Sequence, residues 1–155
     1  MAAAPAAPLV YNFCLTNLSP AGSRLCLVSN GGGNQVTISS NPTNWSFFHK
    51  VNTGTAVNGL LRIQLENAAG NCLRAGTPAF PGAQGVVKIE NGGCGSTDGA
   101  DWWDLVNNEG GGNGKFQSDF YGDLLLVHGA VSGNNVWHAT MRSGDWFNWT
   151  LVQTS

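Results

Sequence analysis

Trp137 and His138 stand side by side in this chain, with Asn134 and Asn135 just before them and Asp123 one predicted strand earlier. Together these side chains could hold a sugar. An exposed indole stacks on the C–H face of a pyranose, while imidazole, amide and carboxylate groups supply a few fixed donors and acceptors. Trp102, beside Trp103, offers a second aromatic platform near Asp98, Asp101, Arg74 and Asn91. The patterns that would mark catalysis are missing. His49, His128 and His138 lack the spacing of a His-Glu-x-x-His metal site, and no Gly-x-Ser-x-Gly elbow occurs. Asp98, Asp101, Asp104, Asp119, Asp123 and Asp145 fall mostly in predicted turns, where a short carboxylate serves local hydrogen bonds. None of the Gly-rich stretches leads into a helix, so none forms a phosphate cradle. The expectation is a protein that is not an enzyme and carries no metal or cofactor.

The elements that must position these residues follow a repeat. Three times a tryptophan is followed two places later by a large apolar residue: Trp45-Ser46-Phe47, Trp103-Asp104-Leu105 and Trp149-Thr150-Leu151. A period of about 50 residues marks one supersecondary unit used repeatedly. Each unit reads as four short strands. In the first they are expected at 10–18, 23–29, 35–39 and 45–51; in the second at 60–67, 71–75, 86–90 and 103–107; in the third at 115–120, 123–128, 135–141 and 149–154. Leu61, Ile63 and Leu65 share one face and alternate with Arg62, Gln64 and Glu66, and Val36 with Ile38 and Val87 with Ile89 show the same period of two. Turns such as Asn30-Gly31-Gly32-Gly33-Asn34 and Ser132-Gly133-Asn134 separate them. Alternation expects apolar Val136 inside and Trp137 outside. No long 3.6-residue period appears, so the chain is expected to be all-β: twelve strands closing a barrel with threefold pseudosymmetry, and up to three equivalent surface pockets.

Composition narrows the partners. Among 155 residues there are 22 glycines and only 10% charged residues, against roughly 25% in an average globular protein. A net charge of −2 gives no basic footprint, which argues against nucleic acid. No apolar run is long enough for a membrane-spanning helix. Residues 1–8, rich in Ala and Pro, read as a disordered tail like the start of a mature exported protein, with one domain over 9–155 and repeats at about 9–51, 52–107 and 108–155. Four cysteines at structured spacings suggest disulfides and a secreted, extracellular setting; they allow three connectivities. A Cys₄ zinc site lacks its usual Cys-x₂-Cys pairs.

The ordered set of motifs resembles the ricin-B-type β-trefoil lectins over nearly the whole chain. The second unit carries the likeness best, with Asn71-Cys72-Leu73, Val86-Val87-Lys88-Ile89, Cys94-Gly95 and Trp103-Asp104-Leu105. The first offers Leu25-Cys26-Leu27 and Gln35-Val36-Thr37-Ile38, and the third Leu124-Leu125-Leu126-Val127 and Asn135-Val136-Trp137. The resemblance implies a β-trefoil of three four-stranded repeats, disulfides Cys72–Cys94 and Cys14–Cys26, and a stacking aromatic near Trp137.

The chain departs from that family where its chemistry is most specific. Thr43, Asp101 and Phe147 occupy the Gln of the closing Gln-x-Trp motif, and Val28, Arg74 and Leu126 occupy the sugar-binding Asp. Val and Leu accept no hydrogen bond, and Arg only donates. Two functions remain open. One is a secreted, non-catalytic lectin recognising glycans through aromatic and polar pockets, with Trp137, His138, Asn134, Asn135, Asp123 and Trp102 as candidate contacts. The other is a secreted protein-binding trefoil, such as a protease inhibitor or effector, using a rigid loop such as 76–82, whose two prolines flank Phe80.

Overall fold

The computed structural model describes residues 10–15, 24–44, 48–56, 59–94, 99–106 and 113–153. The expected tail at 1–8 and the first tryptophan motif, Trp45-Ser46-Phe47, lie outside them, as does Asp98. Among the described residues, twelve strands run in chain order: β1 (Val10–Leu15), β2 (Cys26–Val28), β3 (Thr37–Ser39), β4 (Phe48–Thr55), β5 (Leu61–Glu66), β6 (Leu73–Ala75), β7 (Gly85–Ile89), β8 (Trp103–Val106), β9 (Asn113–Ser118), β10 (Leu124–Leu126), β11 (Trp137–Ala139) and β12 (Trp149–Gln153). A single 3₁₀ turn at Pro42–Asn44 is the one helical element among the described residues. All twelve expected strands are present, most of them shorter than expected. The main shift is β4, which starts later and runs on to Thr55. It pairs with β5 from His49↔Glu66 to Thr55↔Leu61, with a bulge between Lys50 and Asn52.

Six long strands close on themselves. β1 pairs with β4, β4 with β5, β5 with β8, β8 with β9, β9 with β12, and β12 back with β1, all antiparallel. Closure leaves this ring without a free edge. The other six strands form the hairpins β2–β3, β6–β7 and β10–β11, one following each odd-numbered member of the ring. The hairpins touch one another: Trp137 and His138 of β11 pair with Val86 and Gly85 of β7, Thr37 bridges Asn135, and Gln35 bridges Lys88.

At the centre of the hairpins three valines bind one another through their backbones. The Val36 N–H donates to the Val87 carbonyl at 2.8 Å, Val87 to Val136 at 3.3 Å, and Val136 to Val36 at 2.9 Å. All three side chains are fully buried. Below them lies one apolar core drawn from all three units, including Phe13, Leu27, Ile63, Leu73, Phe116 and Leu125. Phe13 and Phe116 meet edge to face across it at 5.5 Å. The two closing tryptophans seen here play the same part. Trp103 donates its indole N–H to the Leu73 carbonyl and Trp149 donates to Leu125, each at 3.0 Å, so the polar tip of a buried ring is satisfied by its own unit's hairpin. Ile63 and Leu65 point inward as alternation predicts, but Leu61 is exposed at the strand end and Gln64 is buried.

The cysteines pair as Cys14–Cys26 and Cys72–Cys94, leaving no free thiol. No helix among the described residues is long and apolar enough to cross a membrane. The Cys72–Cys94 bridge ties the start of β6 to the turn after β7 and closes a loop with a sequence separation of 22. Replacing both cysteines by alanine should cost about 3 kcal/mol of unfolding free energy, because the open chain regains loop entropy. Urea titrations of the two proteins measure this, and an unchanged midpoint would show that the β6–β7 hairpin stays closed without the covalent link.

Candidate functional site

The valine ring fixes the register of each hairpin and so decides which residues face solvent. One residue after each valine, the chain presents Thr37, Lys88 and Trp137, all half-buried at equivalent places. Two residues after, it presents Ile38, Ile89 and His138, all fully buried. Trp137 is the one ring in the outward set.

Trp137 forms one wall of an open groove of about 750 Å³ between β11 and the loop joining β6 to β7. Thr77, Phe80 and Gln84 come from that loop, and Thr140 and Arg142 follow β11. Phe80, 66% exposed, stands at the outer wall. The loop named from sequence as a protein-binding candidate is therefore part of the groove that holds Trp137. Beside it, the His128 ring lies 6.2 Å from the Trp137 ring. His128 Nδ1 donates to Asp145 at 2.8 Å, and Nε2 meets the Gln84 side-chain amide at 2.6 Å. Burial works against the Asp145 charge. Even so, the His128 hydrogen bond, the Arg142 backbone N–H and the nearby cations outweigh it and hold the carboxyl below its ordinary range. Thr37 lies in a smaller groove of about 470 Å³ whose lining is rich in hydroxyl and amide groups, among them Ser29, Asn30, Ser39 and Ser132. Among the described residues, that lining contains no aromatic ring.

Of the residues expected to surround Trp137, the structure brings none of the others into its groove. His138 points the opposite way. Its ring is fully buried, with Nδ1 at 2.9 and 3.0 Å from the two Asp123 carboxylate oxygens and Nε2 at 2.6 Å from the Gly76 carbonyl. The Gly76 carbonyl only accepts, so Nε2 donates to it while Asp123 holds the other side of the ring. It also stacks on Tyr121 at 4.8 Å. His138 and Asp123 thus tie β11 to the base of the β6–β7 loop, where the other two repeats have isoleucine. Asn134 closes a turn, its amide donating to the Gly129 carbonyl and its own carbonyl accepting from Ile38. Asn135 is exposed on the side facing the first hairpin, opposite Thr37. Trp102 lies apart from this groove, half-buried, with the Arg62 guanidinium 4.3 Å above its ring. A cation of the chain itself occupies one face of that platform.

Arg62 also faces Asp119 at 3.6 Å and pairs across the sheet with Asp104. Asp104 is buried, and its carboxyl is pushed up to about 7. Burial is the main cause, followed by the hydrogen bond and negative charge of Asp119, with Arg62 partly offsetting them. Arg74, which occupies the resemblance's sugar-binding position, is committed to an ion pair with Glu90 at 3.3 Å, and Val28 and Leu126 are buried.

By sequence, no protein-family model matches the chain, and no curated protein is similar enough to match it. Solved structures do match. ThreeFoil, a designed threefold-symmetric protein, superposes with a TM-score of 0.71 at 21% identity over 94% of this chain and 99% of its own. The fold is a β-trefoil. A protein described as the BEL beta-trefoil gives 0.64 at 13% identity, covering 97% of this chain and 96% of that one. A lectin of Polyporus squamosus gives 0.64 at 19% identity, covering 96% of this chain and 50% of that one. At such identities the likeness is one of fold.

The sequence missed Gln84, His128, Arg142 and Asp145 as neighbours of Trp137. His128 was considered only for metal binding, and its contact with Gln84 crosses two repeats. Two predictions follow from this geometry. A methyl group at Gly85 would run into His138 Nε2 and the Gly76 carbonyl. Gly85→Ala should therefore cost about 1–3 kcal/mol, measured by chemical denaturation, and a neutral result would mean the His138 bridge is absent in solution. Asp104 binds its proton more tightly folded than unfolded, so its contribution is complete below pH 3.8 and is lost as pH rises through about 7. Stability should fall between about pH 4 and 7 by up to about 1.4 kcal/mol per pH unit from this group, and level off above that, and Asp104→Asn should flatten the profile. A profile unchanged in the variant would place the titration elsewhere.

Proposed function

We propose that this protein is a secreted, non-catalytic carbohydrate-binding β-trefoil that holds its glycan in the groove walled by Trp137. The observation that carries this reading is the asymmetry among the three equivalent positions. Only one holds an aromatic ring, and that ring stands in the larger groove beside Gln84, His128 and Arg142. An indole held by strand pairing presents a rigid apolar face at little entropic cost, and the polar groups around it can orient hydroxyls. The fold shared with the P. squamosus lectin supports the same reading. The two disulfides fit an oxidising, extracellular setting.

Phe80 supports a second reading. An exposed aromatic on a proline-flanked loop, Pro78 to Pro81, is also a plausible anchor for a protein target such as a protease.

A glycan array probed with the oxidised protein, alongside Trp137→Ala and Trp102→Ala variants of verified fold, tests both. Selective binding that falls at least about tenfold in Trp137→Ala is expected, the loss that corresponds to a ring contact worth about 1.4 kcal/mol. Binding lost instead in Trp102→Ala would move the site to the Arg62 cluster. A blank array at high protein concentration would sink the lectin reading and favour the Phe80 loop as a protein-binding surface.

A further inference from the structure

We propose that the Trp137 groove selects a sugar bearing a carboxylate, a uronic or sialic acid, with Arg142 reading the acid while Trp137 stacks on the ring. This rests on the carbohydrate reading above and goes beyond it by assigning the ligand's charge. Neutral sugars are commonly gripped by a carboxylate that accepts from their hydroxyls, and this groove offers none. Among the described residues, the polar side chains lining it are Thr77, Gln84, Thr140 and Arg142. Asp145 is the nearest acid, yet its side chain is 4% exposed and both oxygens are engaged, Oδ1 with His128 and Oδ2 with the Arg142 backbone N–H at 2.8 Å. It supports the site without facing it.

Arg142 is the one charged group on that lining among the described residues. Its side chain is exposed; its charge helps hold Asp145 below the ordinary carboxylate range, but no carboxylate of the described residues stands at ion-pair distance from its guanidinium. Among the described residues, the one hydrogen-bond-range contact of the guanidinium is through Nη2, 3.1 and 3.4 Å from the two ring nitrogens of His128. The remaining donors of the planar fork are open to a ligand. A guanidinium matches a carboxylate bidentately, and such charge-assisted pairs are the strong ones. The backbone beneath is fixed in advance. Arg142 N–H donates to Asp145 Oδ2, and Asp145 N–H donates back to the Arg142 carbonyl at 3.1 Å, closing a turn that fixes the backbone of Arg142 at the groove. Charge, aromatic platform and pinned turn thus converge in one place on a chain whose net charge is −2.

The test uses matched pairs that differ only at C6: galactose against galacturonic acid and glucose against glucuronic acid, each displayed multivalently on the same carrier, with the full oxidised chain as analyte. The acidic member should bind about tenfold or more tightly than its neutral partner. That ratio should shrink as NaCl rises and collapse towards one in Arg142→Gln, while Arg142→Lys should keep part of it. Trp137→Ala should remove binding to both members. Thermal melts verify that each variant is folded. Equal binding of neutral and acidic partners by the native chain would overturn the proposal and leave the lectin reading standing, and so would an acid preference that survives Arg142→Gln. No binding of either sugar in any pair, with an acidic peptide such as oligoglutamate bound through Arg142 instead, would overturn both.

Discussion

Three backbone amides, one from each third of the chain, form a closed ring of hydrogen bonds on the pseudo-threefold axis, and the surface chemistry depends on that ring. Val36, Val87 and Val136 each give a proton to one neighbour and accept one from the other. Buried backbone groups must find partners, and here the partner always lies in a different repeat. No hairpin can slip along its strands without breaking two bonds and turning its side chains over. The next residue in each hairpin is therefore bound to the surface and the one after it to the core. Sequence changes at those positions alter what a site does without altering where it is.

The third repeat uses this freedom twice. Its outward position has become Trp137, and its inward position has become His138, where the other repeats keep Ile38 and Ile89. A buried imidazole is tolerable only when both nitrogens are satisfied. Asp123 and the Gly76 carbonyl satisfy them, and Gly85 leaves the space for the ring to reach them. The same contact holds the β6–β7 loop against β11. A polar substitution inside the core thus supports the groove that the aromatic substitution opens outside it.

Much of this architecture was legible in the chain because it depends on local period and composition. Alternation about Val36, Val87 and Val136 located the hairpins, Trp103 and Trp149 marked two of the closing strands, and the family resemblance implied both cysteine pairs. The same alternation placed Val136 inside and Trp137 outside. Applied one residue further, it also puts His138 inside, but residue type argued for a surface role, and the acceptors that allow its burial come from elsewhere in the chain. Asn134 and Asn135 adjoin Trp137 in sequence but face a turn and the first hairpin. Gln84 could not be grouped with His128 and Arg142 from spacing, since it meets them only because hairpins of different repeats pair side by side.

That pairing between hairpins also bears on inheritance. The groove belongs to a junction between repeats, with one wall encoded around residues 77–84 and the other around 128–142. Copying the third repeat alone three times over would reproduce Trp137, His128 and Arg142 but leave behind Phe80 and Gln84, putting the third repeat's own connection, 127–136, in place of the second's, 76–84. A multivalent descendant of this chain could not arise by simple amplification of one unit. It would need the second and third repeats to travel together, or the missing wall to be invented again at each new junction.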